Sequence, residues 1–177
     1  MRNEEKKHLS AKGLLREVRQ FFNSISQPEK KGAGNSPTFP LADCLMSGLA
    51  LFSLKFPSLL QFDKAITDEK TIKHNLQSLY GIKDAPCDTQ LRERLDVVSP
   101  DTIRGVFKKL FALLQRGKAL EKYKFIGDHY LLASDGTGMF SSKKIHCKNC
   151  CVKNHRNGSK TYYHQMLAGA IVHPSLT

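Results

Sequence analysis

The chain has 177 residues, 40% hydrophobic and 25% charged, enough for one domain or a small domain with part of another, and too apolar for wholesale disorder. A net charge of +12 and a pI near 9.6 point to a polyanionic partner, nucleic acid first and an acidic membrane surface second. The opening Met-Arg-Asn-Glu-Glu-Lys-Lys lacks a signal-peptide core, and the uncharged run from Cys44 to Leu54 falls far short of the roughly 20 residues a bilayer span needs, so a soluble, cytoplasmic protein without membrane association is expected.

The first 125 or so residues read as helices. Leu14, Val18, Phe21, Phe22 and Ile25 recur at helical spacing and define one amphipathic face. Residues 27–39, with Pro28, Gly32, Gly34 and Pro37, read as a flexible linker, so residues 1–26 are expected to form a loosely joined arm. Pro40 opens a second helix, apolar nearly all round (Leu41, Leu45, Met46, Leu49, Ala50, Phe52, Leu54), as a central core helix would be, and Pro57 ends or kinks it. Thr67 or Asp68 can cap a third helix bearing Ile72, Leu76, Leu79 and Tyr80, with Gly81 as its stop. A short helix follows from Asp88 or Thr89 to Leu95. Ser99-Pro100, a cap with proline at the first helical position, then starts a longer helix with Ile103, Val106, Phe107, Leu110, Phe111 and Leu114, ending near Gly117. No helix-turn-helix spacing stands out among these elements.

Beyond residue 125 the pattern turns to strands. Tyr130 to Ala133 form a short apolar run expected to be buried on both faces, with Asp135 at its exit and the strand extending towards Met139-Phe140. Gly136 and Gly138 leave space beside that carboxylate, as a metal-dependent phosphoryl-transfer site would require. Asp135-Gly136 equally suits a turn between strands, and the residues alone leave both readings open. A second strand spans Lys160 to His173, between Asn157-Gly158 and Pro174, and would pair antiparallel with the first.

The connection between those strands is rich in metal-binding side chains. Five cysteines, three of them between positions 147 and 151, fit reduced thiols or a metal site better than a disulfide framework. Cys147-x-x-Cys150 has a zinc-ligand spacing, and His146 and His155 could complete a Zn2+ site, with His164 further on. The alternative is a reduced loop whose cysteines act as small apolar residues. Asp135 is the last acidic residue; after it come Lys143, Lys144, Lys148, Lys153, Arg156 and Lys160, so this stretch carries +6, while 22 basic and 16 acidic residues give the first 135 positions the other +6. These six cations are candidate DNA-backbone contacts.

Tyr130-Leu-Leu-Ala-Ser-Asp135-Gly-Thr-Gly, the Cys147-x-x-Cys150 loop and Tyr162-Tyr-His-Gln-Met-Leu-Ala-Gly-Ala-Ile-Val-His-Pro174 together resemble DDE-type transposases of bacterial insertion sequences. Asn75 to Ile82 and Asp88 to Asp96 resemble the helical region that precedes their catalytic core, so the resemblance covers roughly residues 40 to 177. With the N-terminal helix and linker already read at 1–39, it implies an α+β chain: a helical domain that could bind DNA (40–125) and the first strands of an incomplete ribonuclease-H-like α/β core (126–177). In that family three carboxylates hold Mg2+ or Mn2+ for phosphodiester cleavage and strand transfer, and Asp135 falls on the first of them. The second and third have no counterpart here, which implies a transposase truncated within its catalytic core and inactive alone. The implied partner is DNA, the ends of an insertion sequence, with a homo-oligomer compatible. A different reading is a non-catalytic nucleic-acid-binding protein built on the zinc loop.

Overall fold

A computed structural model describes residues 9–26 and 39–176. It is a mixed helix-and-sheet chain with six α-helices and a four-stranded antiparallel sheet, divided into two compact units at Ala119/Leu120. No helix among the described residues is long and apolar enough to cross a membrane. The linker expected at 27–39 lies, but for Phe39, outside the described residues.

The first unit is a helical cluster built around one central element. Helix α1 (Ala11–Asn23) is capped by Ser10, whose hydroxyl accepts from the Gly13 N–H at 3.1 Å. Its Val18 and Phe22 are buried in the shared core. The helix is therefore not the loosely joined arm the sequence suggested; a face this apolar is stable only against other helices. Helix α2 (Leu41–Ser53) is the central one, burying Leu41, Cys44, Leu45, Met46, Ala50 and Leu51. It stops at Ser53, followed by Lys55 in the left-handed region (φ 60°), so Pro57 lies beyond its end and does not kink it.

The next helix had no counterpart in the sequence reading. Helix α3 (Leu59–Asp68) is capped by Ser58, which accepts from the Gln61 N–H, and buries Phe62 and Ala65. Thr67 and Asp68 belong to its last turn and cap nothing. Helix α4 (Lys70–Ser78) starts from Glu69 without a side-chain cap and buries Leu76. Gly81 follows with φ +69°, and a Cβ there would also press on Arg19. Helix α5 (Asp88–Asp96) buries Leu91. Helix α6 (Pro100–Arg116) begins as its Ser99-Pro100 signal required, with the Ser99 hydroxyl accepting from the Asp101 N–H. Only Val106 of α6 is fully buried, and Phe107 stands 67% exposed rather than on a buried face.

The second unit is a sheet of order β1-β2-β4-β3: β1 (Lys124–Ile126), β2 (His129–Ser142), β3 (Cys151–Asn154) and β4 (Lys160–Val172), preceded by a 3-10 turn at Glu121–Tyr123. The long β2/β4 pair runs antiparallel from Leu131↔Val172 to Ser142↔Tyr162, as expected, with one bulge at Met139. β3 joins β4 through a turn at Asn157-Gly158, where Gly158 takes φ +77°.

Two expectations about β2 are corrected. No residue of the four strands is buried, so Tyr130 to Ala133 do not form a strand covered on both faces. An apolar run signals burial only when other layers cover it, and here Leu132 (64%) and Leu167 (79%) stand open. Asp135 is not at the strand's exit but at its middle, opposite Ala168, and Asp135-Gly136 is part of the ladder and not a turn.

Candidate metal centre and the Asp135 face

Strand alternation sorts the functional side chains onto two faces. Directly paired residues in an antiparallel ladder share a face, and successive residues alternate. Asp135 is paired with Ala168, so it shares a face with Ala168, Met166, His164 and Tyr162 of β4. Gln165, Tyr163 and Thr161 occupy the other face, where with Lys153 and His155 they line a shallow cleft.

Asp135 is exposed, and its Oδ1 accepts from the Gly136 N–H at 2.8 Å. A Cβ built on Gly136 or Gly138 would meet nothing within 4 Å, so the space beside the carboxylate is open. Asp135 takes no part in any cluster of three or more metal-binding side chains among the described residues. Magnesium demands near-octahedral oxygen coordination, of which one carboxylate supplies a small part. The residues present do not by themselves fit a two-metal centre.

A second group does converge. The Sγ atoms of Cys147 and Cys150 lie 3.8 Å apart, and each is 3.3 Å from His164 Nε2. The Cys-x-x-Cys segment is a tight turn in which Cys150 N donates to Cys147 O at 3.2 Å and Cys147 N donates to Cys150 Sγ at 3.3 Å. Ser142 launches the loop: its hydroxyl accepts from the N–H groups of Lys144 and Ile145 at 3.1 and 2.9 Å. Because Ser142 pairs with Tyr162, it projects on the His164 face, and the loop returns over that face to bring both thiols onto the imidazole.

The other expected ligands are placed elsewhere. His155 Nε2 lies 2.8 Å from Thr161 Oγ1. Thr161 is three residues from His164 on one strand, so His155 is held on the opposite face from the thiol pair. His146 stacks on Tyr162, ring centroids 4.1 Å apart, with its Nδ1 3.0 Å from Lys144 O, which keeps it beside the trio and outside it. Cys151 pairs with Tyr163 and so faces away as well. His164, which the sequence set further along than His146 and His155, is the histidine that converges with the thiols. Its place beside them follows from the strand register, which spacing in the chain does not supply.

Lys143, Lys144, Lys148, Lys153, Arg156 and Lys160 are all exposed, and none forms an ion pair among the described residues. All six lie at the end of the sheet where β2 leaves and β4 enters, the same end as the thiol–imidazole group. Glu121 and Asp128, the other carboxylates of this unit, both pair with Lys124 and raise its pKa, so they neutralise nothing at that end. No known protein family, curated protein or solved structure matches the chain.

Proposed function

We propose that this chain is the leading part of a DDE-type transposase, with a helical DNA-binding unit followed by the first strands of a ribonuclease-H-like core. The observation that carries the reading is Asp135: an open carboxylate in the middle of a long antiparallel pair, followed by glycines with free space above them. Two further features agree with it. No residue of the four strands is buried, which suits strands that pack against further elements in a complete core. Six unpaired cations sit at one end of the same sheet, where a DNA backbone could bind.

In a complete family site Asp135 would be one of three carboxylates holding Mg2+ or Mn2+, which would supply Lewis-acid chemistry for phosphodiester cleavage. Asp135 alone does not hold two such ions. The isolated chain is therefore a binder and not a nuclease. A second reading, a non-catalytic nucleic-acid-binding protein, is favoured by the convergence of Cys147, Cys150 and His164.

The test is DNA binding and cleavage by the purified chain. Six phosphate contacts predict a log–log salt slope of about −5 on duplex DNA, with no strand scission in Mg2+ or Mn2+. Absence of salt-dependent binding would remove the DNA reading. Scission abolished by Asp135→Asn would overturn the claim that the site is incomplete. Restored strand transfer on adding the missing carboxylates, by fusing the remainder of a complete transposase core, separates the transposase from the binding protein.

A further inference from the structure

We infer that Cys147, Cys150 and His164 bind one zinc ion, which staples the loop over residues 143–150 to strand β4. The inference stands on the geometry of the three side chains and does not depend on the transposase reading. Two sulfurs each about 2.3 Å from a tetrahedral ion lie about 3.8 Å apart, and the observed Sγ–Sγ separation is 3.8 Å. Sulfur and imidazole nitrogen on the same ion lie about 3.5 Å apart, against 3.3 Å for both thiols here. A disulfide would require about 2.05 Å, so this is not a bridged pair.

The donor set selects the metal. Two thiolates and an imidazole suit zinc and offer nothing to magnesium or calcium, which take oxygen ligands. His155 and Cys151 are turned to the opposite face by strand alternation, and His146 is held by Tyr162. Among the described residues the protein therefore supplies three ligands. Cys147 is exposed and Cys150 and His164 are half-buried, so the fourth position faces solvent and takes a water molecule. The zinc closes a loop within a unit that has almost no buried core, where a cross-link contributes most to holding local structure. It also fixes Lys143, Lys144 and Lys148, which belong to the stapled segment.

The experiment uses the reduced, chelator-treated full chain with Co2+ and Zn2+ as probes. One equivalent of Co2+ should give thiolate-to-cobalt charge transfer and tetrahedral ligand-field bands, and one equivalent of Zn2+ should abolish them. Four thiols should react with a thiol reagent in the metal-free chain, falling to two with zinc. Cys44 stays silent because it is fully buried and burial pushes its thiol pKa up. His164→Ala and Cys150→Ser should weaken zinc by more than the roughly 10–100-fold that loss of an outer-shell partner costs. His155→Ala and Cys151→Ser should leave it unchanged. Four reactive thiols in the presence of zinc, or zinc retained by His164→Ala and lost by His155→Ala, would overturn the assignment.

Discussion

Arg19 of α1 donates from Nη2 to Oδ1 of Asp43 in the first turn of α2, and this ion pair ties the N-terminal helix to the central one. The Asp43 side chain is 9% exposed and Arg19 27%. Removing one partner of a buried pair strands the other charge, which costs about 3–5 kcal/mol when neither can rehydrate. Arg19 can partly do so, and the lower end applies. Asp43→Ala should destabilise the helical unit by about 3 kcal/mol, read from urea unfolding followed by the helical circular dichroism signal. An unchanged midpoint would mean that α1 is held by its apolar face alone.

Phe62 and Phe107 predict opposite outcomes for the same substitution. Phe62 is 1% exposed and meets Phe56 edge-on at 5.3 Å, whereas Phe107 is 67% exposed. Phe62→Ala should cost about 3–5 kcal/mol through lost burial and a cavity. Phe107→Ala should stay within about 0.5 kcal/mol of the parent. Equal losses in thermal unfolding would show that Phe107 is covered in solution.

Among the described residues the Asp135 carboxylate accepts only from the neighbouring Gly136 N–H, a contact on which the fold does not depend. Asp135→Asn should therefore leave the melting temperature and zinc stoichiometry of the chain unchanged. Fused to the remainder of a complete transposase core, the same substitution should abolish strand transfer. A large loss of stability would assign Asp135 a structural role.

The exposed cations make a graded prediction for DNA. Replacing Lys143, Lys144 or Lys148 by Gln should each reduce the salt slope by about 1 and weaken binding similarly for all sequences. Loss that depends on the DNA sequence would mean base contacts in place of phosphate contacts.

Leu132 and Leu167 lie on the face of the sheet opposite Asp135, and both are largely open to solvent. The chain should bind a hydrophobic dye and associate as its concentration rises. Leu132→Glu combined with Leu167→Glu should reduce both. No change in either would mean that this face is already covered in solution.

Ser99-Pro100 could be read correctly from sequence because a cap and a fixed φ are local signals, complete within two residues. The central helix was legible for a similar reason: a helix apolar nearly all round must bury most of its surface, and here only its last turn stays open, with Phe52 78% exposed. Helix α3 is masked in the sequence because Pro57 is a breaker signal, while Ser58 beside it is the cap of a new helix. Burial of Tyr130 to Ala133 was misjudged because burial belongs to the surrounding layers and not to the run itself. At the metal centre, Cys147 and Cys150 are neighbours in sequence and were found. His164 lies 14 residues beyond Cys150 and joins them only through the β2/β4 register, which periodicity cannot supply.

The bulge at Met139 gives the two long strands unequal tolerance to changes in length. Gly138 pairs with Gln165 and Phe140 with His164, so β2 carries one spare residue that the ladder already steps over. Deleting Met139 would join Gly138 to Phe140 and restore a regular ladder with every other pairing intact. β4 has no such slack between His164 and Ala168. Loss of one residue there would send the zinc ligand and the carboxylate to opposite sides of the sheet. Length variation among descendants of this gene should therefore accumulate in β2 at Met139, while β4 keeps its count.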